Sequence, residues 1–102
     1  MSKKSKRCYV KVHKYGNETV LALCDEDLLG KTLAEGKIVL EVRKDFYGGI
    51  LMKVEEAIGL VSSATVINAV GKNVLDMLSK INELVYDAAV WIEGVPHVQI
   101  VR

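Results

Sequence analysis

The chain has 102 residues, 50% of them hydrophobic and 26% charged, which allows one core burying roughly two-thirds of the unfolded surface and excludes long-range disorder. Its formal charge of +1 is uneven, because Lys3, Lys4, Lys6 and Arg7 hold four of the fourteen cations and leave ten against thirteen acids in residues 8–102. No apolar run approaches the roughly 20 residues of a membrane span, and the basic start lacks an apolar signal-peptide region, so the expectation is a cytoplasmic protein with no membrane partner.

Residues 1–7 read as a basic flexible tail and residues 8–102 as a single mildly acidic domain. CYVKVHKY, Cys8 to Tyr15, and ETVLALC, Glu18 to Cys24, are β-rich runs separated by Gly16-Asn17, a pair suited to a tight turn. A two-residue loop sets the register: Tyr15 faces Glu18, His13 faces Val20, Tyr9 faces Cys24 and Cys8 faces Asp25. The two thiols then point to opposite faces, which argues against a disulfide, and no CxxC pair suggests zinc. One face, Val10 and Val12 with Leu21 and Leu23, is expected to be core. The other, Tyr9, Lys11, His13 and Tyr15 beside Val20, Ala22 and Cys24, reads as a solvated sheet surface.

In CDEDLLGK, Asp25 is placed to cap a short helix with Glu26 and Asp27 in its first turn and Gly30 at its end. Three adjacent carboxylates without a second ligand set do not make a metal site. GKIVLEVR, residues 36–43, alternates as a third strand. Gly48-Gly49 after Phe46-Tyr47 reads as a turn or a close backbone approach, and its amides are also candidates for cradling an anion beside a stacking aromatic. No Walker-type or dinucleotide-binding glycine motif is present, and no cofactor is expected.

ILMKV, residues 50–54, leads into a helix running to about Val61. Ser62 or Ser63 then caps a second helix carrying Ala64, Ile67, Gly71, Val74, Leu78 and Ile81 at spacings of three and four. The β-branched content of ATVINAV offers the alternative of a strand followed by a helix. Asn68 on that segment is placed to bond a loop or a ligand. The chain ends in a second hairpin, AAVWIE and HVQIVR, with Gly94-Val95-Pro96 at the turn, Trp91 expected in the core, and His97, Gln99 and Val101 sharing one face. The fold class is α+β: a mostly antiparallel sheet from N- and C-terminal hairpins plus a third strand, packed with about two helices.

YVKVHKYGNETVLALCDEDLLGK, EGKIVLEV with DFYGG, EEAIGLVSSATVINAVGKNV and WIEGVPHVQIV, in this order, resemble a small archaeal family, domain of unknown function 424. The resemblance covers nearly the whole chain after the basic tail and implies an archaeal cytoplasmic protein without an assigned activity. It implies recurrent positions at Lys11, His13, Cys24, Asp25, Gly30, Tyr47, Gly48, Asn68, Gly71, Pro96, His97 and Gln99. The glycines and the proline have backbone explanations; the others are candidate site residues.

The leading expectation is a non-enzymatic binding module for RNA or a ribonucleoprotein, with a place in translation. It would use Lys3, Lys4, Lys6, Arg7, Lys11, His13, Tyr47, Gly48, Asn68, His97 and Gln99. Lys14, Lys31, Lys37, Arg43 and Lys44 lie near the expected strands, and Tyr9 and Tyr15 are further stacking groups. An alternative is a small enzyme with His97 as acid or base and Asp25 as its partner, helped by His13 and Tyr47. A third is an adaptor that docks a protein through a sheet edge or the tail. Convergence of His13, Asp25, Tyr47 and His97 in one cleft would favour the enzyme, and separation onto opposite faces would remove its basis.

Overall fold

The structure, a computed structural model, describes residues 6–102. Eight strands and three short helices follow in the order β1 (Arg7–Tyr15), β2 (Glu18–Asp25), β3 (Thr32–Glu35), β4 (Ile38–Glu41), α1 (Lys44–Tyr47), β5 (Ile50–Lys53), α2 (Val54–Val61), β6 (Val66–Val70), α3 (Lys72–Ser79), β7 (Val90–Ile92) and β8 (Val95–Val101). A 3-10 turn, Glu26–Leu28, follows β2. Six strands form one sheet in the order β5-β1-β2-β6-β8-β7, and β3 and β4 form a separate hairpin.

The first hairpin has the expected register, with Tyr15 opposite Glu18, His13 opposite Val20 and Cys8 opposite Asp25. Gly16 takes φ 58°, as a tight turn demands. The C-terminal hairpin also forms, and Glu93 and Gly94 hold its turn at φ 51° and 76°. Between the hairpins β2 and β6 run parallel, the one parallel pair of the sheet, because the chain between them crosses over through α2.

The sheet is covered on both sides, and each covering layer creates a core. On the inner face α2 and α3 pack over Val10, Leu21, Leu23, Ile67, Ala69 and Val98. On the outer face the β3-β4 hairpin, α1 and the 3-10 turn cover Ala22, Cys24, Val70 and Ile92 with Leu28, Leu33, Val42 and Tyr47. The face expected to be solvated is therefore half covered. Cys24 and Ala22 are fully buried on it, and burial of such apolar groups contributes about 25 cal/mol per Å² to holding the second layer down. The two free thiols lie in different cores, Cys8 inner and Cys24 outer.

Several expectations change. Residues 36–43 do not join the main sheet: β4 pairs with β3, and this small hairpin is tied to the C-terminal turn through Ala34 N–H to Glu93 Oε2 (2.6 Å) and Glu93 N–H to Glu35 Oε1 (2.7 Å). The segment after Ser63 is the strand β6 and then α3, not one helix. Its apolar spacing of three and four arose because Ile67 of the strand and Val74 and Leu78 of the helix bury into the same inner core, with Gly71 as the corner. Val12 is 46% exposed, since the helices cover the sheet only as far as Val10. Trp91 is also outside the core, 44% exposed on the edge strand β7, where it stacks on Tyr86 (5.9 Å between rings) with Lys72 Nζ 6.0 Å from its ring.

Arg7, expected in the tail, belongs to strand β1. Arg7 pairs with Lys53 and forks onto Glu26 at 3.1 and 2.7 Å, and the Lys6 carbonyl accepts Val54 N–H. Lys3 and Lys4 lie outside the described residues. Among the described residues no helix is long and apolar enough to cross a membrane, and no group of three or more His, Cys, Asp or Glu is placed to hold a metal ion.

Candidate nucleic-acid interface

The polar positions on the outer face converge on α1. This four-residue helix has carbonyls its own turn cannot satisfy. Lys11 Nζ donates to Asp45 O at 2.9 Å, His13 Nε2–H donates to Phe46 O at 2.8 Å, and the Tyr47 hydroxyl donates to Asn68 Oδ1 at 2.5 Å. Strand β1 thus supplies two side chains at i and i+2 on one face, and β6 supplies the third. His97 Nε2–H donates to the same Asn68 oxygen at 3.0 Å. Burial holds the His97 ring below its ordinary pKa, so it is neutral near pH 7, and burial pushes the Tyr47 hydroxyl above its ordinary value.

The glycine pair is a close approach rather than an anion cradle. Gly48 N–H donates to Lys44 O at 2.8 Å and Gly49 N–H to Tyr47 O at 2.9 Å, so both amides are committed. A Cβ on Gly48 would overlap the Lys44 carbonyl, and one on Gly49 the Val10 carbonyl. Gly48 serves the backbone, not a ligand.

Asp25 departs furthest from its expected role. It precedes the 3-10 turn but its carboxylate caps another element: Oδ2 accepts Asn73 N–H and Oδ1 accepts Val74 N–H, each at 3.0 Å, at the start of α3. Alternation along β2 puts Asp25 on the inner face with Leu23, whereas His13, Tyr47 and His97 serve the outer face. The proposed pairing of His97 with Asp25 is therefore not formed; the partner of His97 is Asn68. Burial, with the Asp25 charge adding, pushes the Cys24 thiol up to about 12 and the Cys8 thiol to about 11, so neither is a nucleophile at neutral pH.

What remains available lies on the uncovered half of the outer face. His13, Tyr15 and Phe46 form a column of rings: His13 stacks on Phe46 at 4.8 Å and 13°, and on Tyr15 at 6.2 Å and 6°. Tyr15 ends the column and is 60% exposed. Phe46 meets Tyr47 edge to face, which fixes the column to the sheet. Beside Phe46 a shallow concavity contains Lys31, Arg43 and Lys44 with Glu41 and Asp45. Together with Lys11 this places four cations against two carboxylates. The Arg43–Asp45 fork, 3.0 and 2.9 Å long, is solvent-exposed and contributes little to stability, so Arg43 exchanges partners readily. The structure thus joins Lys11, His13, Tyr47, Asn68, His97 and Gln99 on one face. Asp25 lies on the opposite face; Arg7 shares the outer face of β1 but is held by Glu26 at the far end of the strand, and Gly48, next to Tyr47, has its amide on Lys44 O. Phe46 was missing from the candidate residues, and its signal was adjacency to Tyr47 in DFYGG.

The family model described as a protein of unknown function (DUF424) matches residues 13–102. The chain belongs to this family. A crystal structure of an uncharacterized conserved protein from Methanopyrus kandleri is similar to it, with 32% identity, a TM-score of 0.79, and 92% of this chain and 90% of that chain covered. No curated protein matches the chain. Membership accounts for the resemblance in the four quoted stretches and for the α+β architecture, and it brings no activity with it.

Proposed function

We propose that this DUF424 chain is a non-enzymatic module that binds single-stranded RNA, free or in a ribonucleoprotein, on the open half of its outer sheet face. The observation that carries this reading is the near-parallel column Tyr15-His13-Phe46 ending in an exposed ring. Flat aromatic faces on a sheet stack bases, each worth about 1–3 kcal/mol, and tolerate any base because every base has a π-face. The adjoining Lys11, Lys31, Arg43 and Lys44 offset the acidity of the domain where a phosphate backbone would pass. The Methanopyrus neighbour supports an archaeal origin, and two free thiols suit the reducing cytoplasm. The RNA-dense translation apparatus is the setting this reading favours.

The test is fluorescence anisotropy with a single-stranded oligoribonucleotide of about twelve nucleotides and its duplex, over a salt series. The expected result is preference for the single strand, a log–log salt slope of about −2 for three phosphate contacts, and a slope reduced in Lys31→Glu/Lys44→Glu. Absence of binding, or equal binding of duplex and single strand, would overturn the reading.

A further inference from the structure

The group on the open face with the most constrained geometry is the carboxamide of Asn68. It lies on β6 in the cross-strand row Lys11, Ala22, Asn68, Gln99. Its oxygen accepts from the Tyr47 hydroxyl at 2.5 Å and from His97 Nε2–H at 3.0 Å. An amide oxygen has two lone pairs, so its accepting capacity is filled, and donors from two separate elements fix the plane of the group. Its nitrogen has no acceptor among the described residues. No buried side-chain nitrogen or oxygen among those residues lacks a partner, so this half-buried amide keeps Nδ2 at the solvent boundary.

The neighbouring row is His13, Val20, Val66 and Val101, all on the same face. Val20 and Val66 are half-buried and Val101 is 71% exposed. Strands lie about 4.8 Å apart, so two of them span the width of one nucleobase. A base resting on Val20 and Val66 would have the His13 ring at one side and the Asn68 nitrogen along its edge.

We propose that Asn68 selects the base: its amide nitrogen, turned outward by Tyr47 and His97, donates to a carbonyl oxygen of uracil and discriminates against adenine. This rests on the RNA-binding reading. A free asparagine offers both a donor and an acceptor and matches adenine in two places. Here the acceptor is consumed, so adenine keeps at most one bond, from Asn68 Nδ2–H to a ring nitrogen, and its amino group loses its acceptor, whereas uracil offers two carbonyl oxygens to the same donor. Tyr47 is a positioning residue that acts through Asn68. Exposed Gln99, next to it in the row, is unpinned and adds no such preference.

The experiment compares oligo(U) with oligo(A) of equal length on the full chain at one salt concentration. The expected result is preference for oligo(U) of about tenfold, the effect of one well-placed base contact. Asn68→Asp keeps an oxygen for Tyr47 and His97 but replaces the outward donor by an acceptor, and it should abolish or reverse the ratio. Tyr47→Phe frees one lone pair and should narrow the ratio more than it lowers the affinity for oligo(U). Independently of any variant, the Asn68 side-chain NH2 resonances of the wild type should shift more on adding oligo(U) than on adding oligo(A) at equal saturation. Equal affinity for the two oligomers, or an unchanged ratio in Asn68→Asp, would overturn base selection while leaving RNA binding intact. Binding of neither oligomer would overturn both.

Discussion

Two polar regions of this molecule use similar residue types and end differently. At the corner between β6 and α3, Asp25 is 5% exposed, both its oxygens are taken by backbone amides, and Gly71 passes so close that a Cβ would overlap the carboxylate. On the open half of the outer face, His13 and Asn68 are also hydrogen-bonded, yet the column through His13 ends in the exposed ring of Tyr15 and Asn68 keeps its amide nitrogen toward solvent. The corner is closed because an orphan helix N-terminus consumes every lone pair directed at it. The open face is available because α1 needed only one atom from each of its supports. Residue type is thus a poor guide to function; what matters is the capacity left after the backbone has been satisfied.

The corner should break first and most severely. Gly71→Ala forces a side chain into φ 117° and ψ 148°, a region open almost only to glycine, and drives its Cβ into the Asp25 carboxylate. The expected loss is about 3 kcal/mol or more by urea denaturation, and a loss under about 1 kcal/mol would show that the corner relaxes freely. Asp25→Ala removes the cap without adding a clash and should cost about 1–3 kcal/mol, because two amides of α3 lose their partner.

Asp25→Asn sharpens the same point through pH. Burial raises the Asp25 carboxyl above its ordinary 3.8, outweighing the two amides that pull it down. The folded state therefore holds the proton more tightly than the unfolded one. The contribution is fully present below about 3.8 and is lost as pH rises through the raised value. The stability of the wild type relative to Asp25→Asn should thus fall as pH rises from below about 3.8 through the raised value. If the wild type instead gains on the variant as pH rises, the helix amides dominate over burial and the corner is an electrostatic lock rather than a costly closure.

Much of the fold was legible because it rested on period and turn chemistry. Gly16-Asn17 fixed the first register down to single residue pairs, and the C-terminal hairpin followed from the alternation in HVQIVR, although its turn is Glu93-Gly94 and not Gly94-Val95-Pro96, of which Val95 and Pro96 belong to β8. The β6-α3 segment was ambiguous for a physical reason: a strand and a helix that bury into one core share an apolar spacing at their junction, and only the β-branched run Val66-Ile67 with Gly71 separates them. The second layer was illegible, since nothing in Lys11 or His13 announces that a four-residue helix will hang from them. The capping by Asp25 was legible as chemistry but not as an address, because its target lies 48 residues away.

The smallest expected change in stability is also the most informative. Tyr15→Ala removes a ring that is 60% exposed and touches the column at one end. Its loss should cost at most about 1 kcal/mol of stability, the worth of one exposed aromatic pair. Its cost to single-stranded RNA binding should be about 1–3 kcal/mol, at least fivefold in affinity, because the stacking surface itself is deleted. Gly71→Ala reverses that order: the Gly71 corner lies away from the column, so whatever fraction of the variant stays folded should bind as the wild type does. Measuring both quantities on both variants separates a surface from a scaffold. A Tyr15 variant that loses more stability than affinity would place the ring column with Asp25 and Gly71, as architecture, and the open face would then need a different ligand.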